Sequence, residues 1–195
     1  EPLLTEHLRL YQHLPYALPV TDDVVRTRDD SLVLAMEVEG IDPSTSSSFD
    51  VIAIRDSLNR VLASLDGRIT IHLHRLLVPD EQSLVPVGGG GFAGELDRRW
   101  RAHLQNVGMM RTALILTVVR HNIGPVAVPF LRRTAAKVIR EDVTRRMADL
   151  TGIAEILETA LSGARLKRLK LSDGGLLGFF TAISTGRLEA EYAEP

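Results

Sequence analysis

One uninterrupted apolar run near the middle of the chain limits the possible folds more than any other feature. It covers residues 113–119, with the sequence Ala-Leu-Ile-Leu-Thr-Val-Val. The run is too short for a core helix and is rich in β-branched residues, so it predicts a strand that is covered on both faces. We therefore expect residues 113–119 to form the central strand of a sheet.

Alternating apolar and polar residues predict further strands. Residues 24–28 and 32–39 flank an acidic turn, and apolar residues alternate along the second stretch, which indicates a β-hairpin. The same period of two in residues 68–78 predicts another strand. A short extended piece is expected at residues 165–171.

Apolar residues at helical spacing predict the remaining elements. Residues 49–65 and 92–106 are expected to form helices that cover the sheet, and helical spacing dominates residues 130–185. Together these elements predict an α/β (α+β) fold with a mixed, largely antiparallel sheet of about four strands, covering helices and a C-terminal helical appendage. We assign residues 1–125 to the sheet domain and residues 126–195 to a helical part packed on it.

The composition excludes several classes of site. The chain has no cysteine, which excludes a disulfide framework, a thiolate metal site and a cysteine nucleophile. No apolar run reaches the roughly 18 residues of a transmembrane helix, so we expect a chain that does not cross a membrane by itself. The N-terminus lacks both an initiator Met and the basic region of a signal peptide, and we expect a fragment or a processed product.

Charge is distributed unevenly along the chain. Residues 1–60 hold five basic and eleven acidic side chains, whereas residues 98–170 hold fifteen basic and five acidic ones. Such a division suits a surface for an acidic partner or nucleic acid, and it equally suits two halves that attract each other. Attraction between the two halves is the simpler interpretation of this charge division.

Four consecutive glycines at residues 88–91 invite comparison with a phosphate-binding loop. Such a loop needs a Gly-Lys pair followed by Ser or Thr, and no Gly-Lys pair occurs in the sequence. The strand at residues 113–119 continues into Arg120 and His121 instead of the acidic residue of a magnesium site. The glycines therefore predict a flexible linker and no nucleotide hydrolysis.

No catalytic or metal-binding constellation is evident either. His72 and His74 share one face of a predicted strand, but no third ligand accompanies them, which favours ordinary surface or interface histidines. The nucleophile elbow Gly-x-Ser-x-Gly is also absent from the sequence. We predict no catalytic, cofactor-binding or metal-binding residue in this chain.

A basic helix face is the one feature suited to phosphate backbones. Its first members are Arg132, Arg133, Lys137 and Arg140, followed by Arg145 and Arg146 and by the basic residues of 165–170. Aromatic residues are not interleaved with them, so stacking on single-stranded bases is poorly supported. A solvated or protein-facing surface is favoured, and nucleic-acid binding through the basic half stays the alternative function.

Four stretches of the sequence occur in a recognisable order. They are Leu14-Pro15-Tyr16 with the hairpin of residues 25–40, residues 60–75 in which a helix end leads into a strand, the segment Phe-Ala-Gly-Glu-Leu-Asp-Arg-Arg-Trp at 92–100 with the strand after it, and Leu-Ser-Asp-Gly-Gly-Leu-Leu-Gly-Phe-Phe at 171–180. In this order, across roughly residues 14–188, they resemble the N-terminal region of the VirB/TrbE/CagE ATPases of bacterial conjugation and type IV secretion.

The resemblance implies a non-catalytic N-terminal domain that serves assembly and docking. The Walker motifs, and with them ATP and Mg²⁺, would lie in a further C-terminal domain of a larger ATPase. The implied partners are inner-membrane subunits of a secretion channel and other protomers of a hexameric ATPase. The implied location is the cytoplasm, peripheral to the inner membrane.

The entry segment offers the predicted contact for such a partner. Tyr16 and Leu18 stand beside Pro15 and Pro19, which fix the backbone and make a small rigid apolar surface. The exposed edge of the hairpin is the second candidate docking surface. Alternatively, Tyr16 and Leu18 cover the domain's own core.

Overall fold

A computed structural model of the protein describes residues 16–42, 44–79, 91–107, 110–122 and 135–185. Within these residues, strands form a single sheet in which every pairing is antiparallel: β1 (Tyr16–Pro19), β2 (Val24–Thr27), β3 (Leu32–Val38), β4 (Ile69–Pro79), β5 (Met110–Arg120) and β6 (Leu166–Arg168). The strand order is β1-β2-β3-β5-β4. The predicted strand at residues 113–119 is confirmed as an interior strand between β3 and β4.

Strand β3 is paired along both of its edges. Its full length pairs with β5, from Leu32 opposite Arg120 to Val38 opposite Leu114. On the other edge β2 and β6 lie end to end, since β2 pairs with residues 32–34 of β3 and β6 with residues 36–38. The C-terminal part of the chain therefore completes the sheet.

Helices cover the two faces of the sheet. The helices of the described residues are α1 (Ser48–Ser64), α2 (Gly91–Val107), α3 (Ala135–Ala160) and α4 (Gly175–Thr185), with a 3-10 turn at Ser162–Ala164. Helix α1 begins with a capping box in which the Ser47 hydroxyl accepts from the Asp50 backbone N–H and the Asp50 carboxylate accepts from the Ser47 N–H.

Two hydrophobic cores result from the alternation of side chains along the strands. On one face α1 and α3 pack on β3 and β5, with core residues Leu34, Met36, Val61, Val118, Leu150 and Leu157. On the other face α4 packs on the same strands, with core residues Ala35, Ile115, Leu176 and Phe179. The α+β fold class is confirmed. The structure adds two strands to the predicted four: β1, and β6, which falls within the extended piece expected at residues 165–171.

The boundary predicted at residue 125 lies outside the described residues. Helices α3 and α4 form layers on opposite faces of the sheet, and β6 lies within it. The described part of residues 126–195 supplies part of both cores.

Ion pairs join the acidic and basic halves of the chain. Arg146 on α3 is 5% exposed, and its guanidinium donates to the backbone carbonyl of Asp30 and, at 3.0 Å, to the Asp30 carboxylate. Arg168 on β6 donates to Glu158 at 2.6 Å and 3.0 Å and pairs with Asp23 at 3.4 Å. Attraction between the halves therefore accounts for part of the charge division.

The contact between Arg146 and Asp30 also stabilises a strained turn. Asp30 has a φ of +65°, in the left-handed region that side-chain-bearing residues rarely adopt. Arg146 binds both the carbonyl and the carboxylate of this residue and is held in turn by Asp142 at 2.8 Å. One buried cation thus fixes the turn between β2 and β3 against α3.

We expect Arg146→Ala to lower the free energy of unfolding by about 2–3 kcal/mol, because it removes charge-assisted hydrogen bonds to a partly buried carboxylate. The adjacent Arg145 is exposed and provides the matched control. Arg145→Ala should change the free energy by less than about 0.5 kcal/mol. Urea denaturation of both variants measures the difference, and equal stabilities would contradict the assigned role of Arg146.

Candidate functional site

The entry segment forms an edge strand of the sheet. Strand β1 pairs with β2, so the outer side of the predicted hairpin is occupied by the entry segment itself. Tyr16 is half-buried and its ring stacks on Phe180 of α4, with ring centroids 3.8 Å apart. Burial raises the pKa of the Tyr16 hydroxyl. Leu18, by contrast, is 62% exposed.

The two predicted docking residues therefore have different environments. Tyr16 contributes to the domain's own packing, which was the alternative interpretation for both residues. Leu18 presents an apolar side chain to solvent, so it stays a candidate contact. Pro15 lies outside the described residues.

The predicted basic patch is described only in part. Arg132 and Arg133 lie outside the described residues, and Lys137 belongs to α3 but its side chain is not described. Arg140 is exposed, as the prediction requires. Arg146 does not belong to a solvent-facing patch, because it is buried against Asp30, and Arg168 is engaged with Glu158 and Asp23.

The paired histidines have separate environments. His72 is exposed, whereas the His74 ring packs edge-on against Phe179 and its Nε2 lies 3.1 Å from the Thr117 hydroxyl. Burial, and then the charge of His72, lowers the pKa of His74. Among the described residues no three metal-ligating side chains come together. His74 is thus a half-buried histidine that packs against Phe179 and Thr117.

Helix α2 presents a large apolar surface that the sequence prediction placed in the core. Phe92, Leu96 and Trp100 recur at four-residue intervals and are 85%, 57% and 59% exposed. This face of α2 does not cover the sheet, contrary to the prediction. We call these three residues the α2 apolar stripe.

The charged side chains of α2 confirm that the stripe points outward. Asp97 and Arg101 form an ion pair on the side of the helix away from the stripe and are only 25% and 21% exposed. Glu95 accepts from Arg99 at 2.8 Å on the outer side. The helix is amphipathic, but its charged pair is less exposed than its apolar stripe. Helical period alone cannot distinguish these two orientations.

Strand β4 is the second edge of the sheet. Within the described residues it pairs with β5 alone, so the backbone N–H and C=O groups along its outer edge face away from the sheet. Leu73 and Leu77 on this strand are 64% and 62% exposed. A long edge strand with exposed apolar side chains is suited to pairing with another chain.

The exposure of the α2 apolar stripe can be tested with Trp100, the single tryptophan of the chain. We expect its fluorescence maximum and its quenching by acrylamide to approach those of N-acetyltryptophanamide, because the indole is largely in water. Unfolding in guanidinium should then change the emission maximum little. A blue-shifted emission that acrylamide does not quench would contradict the outward orientation of α2.

Comparison with known proteins identifies the family. A family model described as the N-terminal domain of the type IV secretion system ATPase VirB4/TrbE matches residues 23–125. No curated protein matches the chain. Among the described residues no helix is both long and apolar enough to span a membrane. The family match begins just before β2, ends after β5 and includes α1 and α2, which is more than half of the 195 residues. The chain therefore belongs to the VirB4/TrbE family of type IV secretion ATPases and carries the N-terminal domain of that family.

Proposed function

We propose that this chain is a non-catalytic assembly domain that links the motor of a type IV secretion ATPase to inner-membrane components of the channel. The outward-facing apolar stripe of α2 is the observation that carries the proposal. Three large apolar side chains do not stabilise the domain while they are exposed to water. Burying them in a contact with another protein stabilises that contact. The proposed location is the cytoplasmic face of the inner membrane.

The α2 apolar stripe has the composition of an interface centre. Aromatic side chains are enriched in such centres, and burying Phe92, Leu96 and Trp100 would contribute about 1.5–3 kcal/mol each. Arg98 and Arg99 are exposed beside the stripe and share the carboxylate of Glu95. Long charged side chains of this kind suit the polar rim around an apolar contact.

The outer edge of β4 supplies a second mode of contact. A strand of a channel subunit or of a neighbouring ATPase protomer can pair with it through main-chain hydrogen bonds. Leu73 and Leu77 would then lie beside the added strand. Leu18 on β1, at the opposite edge of the sheet, is the alternative contact to the α2 apolar stripe.

The proposal places ATP binding in another part of the ATPase. No Gly-Lys pair occurs in this sequence, and such a pair is central to a phosphate-binding loop of the Walker type. We expect titration calorimetry of the purified chain with Mg-ATP to give no saturable heat at micromolar concentrations. Saturable binding in that range would contradict the proposed non-catalytic role.

The docking surface can be located by co-purification with the inner-membrane subunits of the cognate secretion channel. We expect the double variant Leu96→Asp and Trp100→Asp to lose the membrane subunits, because two charges would have to be buried in the contact. Both side chains are exposed, so the variant should keep the circular dichroism and unfolding temperature of the wild type.

Leu18→Asp is the matched control, since Leu18 is exposed to a similar extent on another element. It should leave co-purification unchanged. Loss with Leu18→Asp and retention with the α2 variant would place the contact at the entry segment instead. If the wild-type chain recovers no membrane subunit, the assembly role itself is wrong.

A further inference from the structure

The sequence contains two Asp-Gly pairs, Asp66-Gly67 and Asp173-Gly174. An aspartate that precedes glycine is open to attack by the backbone nitrogen of that glycine, because glycine has no Cβ to shield the nitrogen or to restrict the backbone. The product is isoaspartate, in which the main chain runs through the side-chain carbon. The two pairs have different surroundings in the structure, so the fold should affect their reactivity differently.

The first pair lies in the turn that joins α1 to β4. The Asp66 carbonyl accepts from the Ile69 backbone N–H at 3.1 Å, which closes a β-turn over residues 66–69. Carboxylate oxygen Oδ1 of Asp66 also accepts from the Arg68 backbone N–H at 2.9 Å. This bond folds the side chain back over the peptide group between Asp66 and Gly67, so the carboxyl carbon Cγ is held beside the Gly67 nitrogen.

The groups around Oδ1 of Asp66 favour attack on its carboxyl carbon. Besides the Arg68 N–H, Nη1 of the buried Arg120 lies 4.0 Å from this same oxygen. When a nitrogen attacks a carboxyl carbon, negative charge develops on the carboxyl oxygen. A fixed N–H donor and a nearby cation stabilise that charge.

The nucleophile of this pair is also accessible. Gly67 is exposed, and within the described residues no group accepts a hydrogen bond from its backbone N–H. The Asp66 side chain is 60% exposed. Water can therefore reach the turn, and the peptide group of Gly67 can rotate without breaking a hydrogen bond of its own N–H.

The second pair has a similar carboxylate but a protected nitrogen. Oδ1 of Asp173 accepts from the Gly175 backbone N–H at 2.9 Å, as Asp66 does from Arg68. Gly174, however, is buried, and its N–H donates to the Leu171 carbonyl at 3.1 Å. Attack by this nitrogen would break a buried hydrogen bond and turn a packed peptide group, which costs free energy.

We propose that Asp66-Gly67 is a site of spontaneous isoaspartate formation, whereas the fold protects Asp173-Gly174. The Gly67 nitrogen bonds to Cγ of the protonated Asp66 carboxyl group, and the N–H proton and the carboxyl hydroxyl leave as water. Water then adds at the former main-chain carbonyl of the cyclic imide and opens the ring. The product keeps the atoms of the original chain, but its main chain is longer by a methylene group and its free carboxylate lies on Cα.

The test is prolonged incubation of the purified, folded chain at neutral pH and physiological temperature, followed by digestion with trypsin. Trypsin places the two pairs on separate peptides, residues 61–68 and 171–187. Electron-transfer fragmentation distinguishes isoaspartate from aspartate in each peptide, although their masses are equal. We expect isoaspartate to form at Asp66 at least about tenfold faster than at Asp173, because only Gly174 must lose a buried hydrogen bond.

Two controls separate the effect of the fold from that of the sequence. In chain unfolded by guanidinium chloride, the two rates should agree within about threefold, since both pairs then have unrestrained glycines. Gly67→Ala should slow the reaction at Asp66 by at least about tenfold, because a Cβ hinders the nitrogen and restricts the backbone. This variant should keep the fold, since a Cβ at Gly67 meets no atom within 4 Å.

Three results would overturn the proposal. They are the absence of isoaspartate at Asp66, equal rates at Asp66 and Asp173 in the folded chain, and an unchanged rate in folded Gly67→Ala. If Gly67→Ala fails to fold, the comparison of the two pairs within the wild-type chain decides in its place. The co-purification experiment is independent, because its variants lie on α2 and β1.

Discussion

The fold depends on the double coverage of strand β3. Residues 32–36 of this strand are all buried, with at most 6% of any residue exposed, so both faces of the sheet need a helical layer here. Both edges of the strand are also paired, by β5 on one side and by β2 and β6 on the other. The strands that pair with β3 and the helices that cover it come from distant parts of the sequence.

This constraint makes the two halves of the chain interdependent. The family match ends at residue 125, yet α3 supplies Leu150, Ala154 and Leu157 to one core and α4 supplies Phe179 to the other. Contacts at the ends of the sheet also join the two halves of the chain. Asp22 before β2 accepts from the backbone and the hydroxyl of Ser172 at 2.8 Å and 2.7 Å, and these bonds lower the pKa of Asp22. The family-matched region therefore shares its core with α3 and α4, which lie beyond its C-terminal limit.

The sequence predicted the type and the position of most elements, because hydrophobic period depends on local geometry. The apolar run at residues 113–119 and the alternation of residues 32–39 each correspond to a strand of the structure. The sequence does not predict strand β1, since its four residues, the last of them Pro19, carry no readable period. The pairing of β1 with β2 is decided by tertiary contacts that no local pattern contains.

The orientation of elements was harder to predict than their type. Arg145 and Arg146 are neighbours in one basic run, yet one is exposed and the other is buried against Asp30. Tyr16 and Leu18 form one apolar segment, yet only Tyr16 finds a ring to stack on. In each case the deciding group lies more than a hundred residues away along the chain.

Helix α2 shows why an exposed apolar surface escapes a prediction based on amphipathic period. The period of Phe92, Leu96 and Trp100 is that of a core-facing helix, and a partner-facing helix has the same period. A core-facing helix differs from a partner-facing one in that other parts of the same chain pack against its apolar stripe. Both cores lie over β2, β3 and β5, and Leu73 and Leu77 of β4 remain exposed together with the α2 apolar stripe. The proposed docking surface is therefore the part of the hydrophobic pattern that the domain's own two cores leave uncovered.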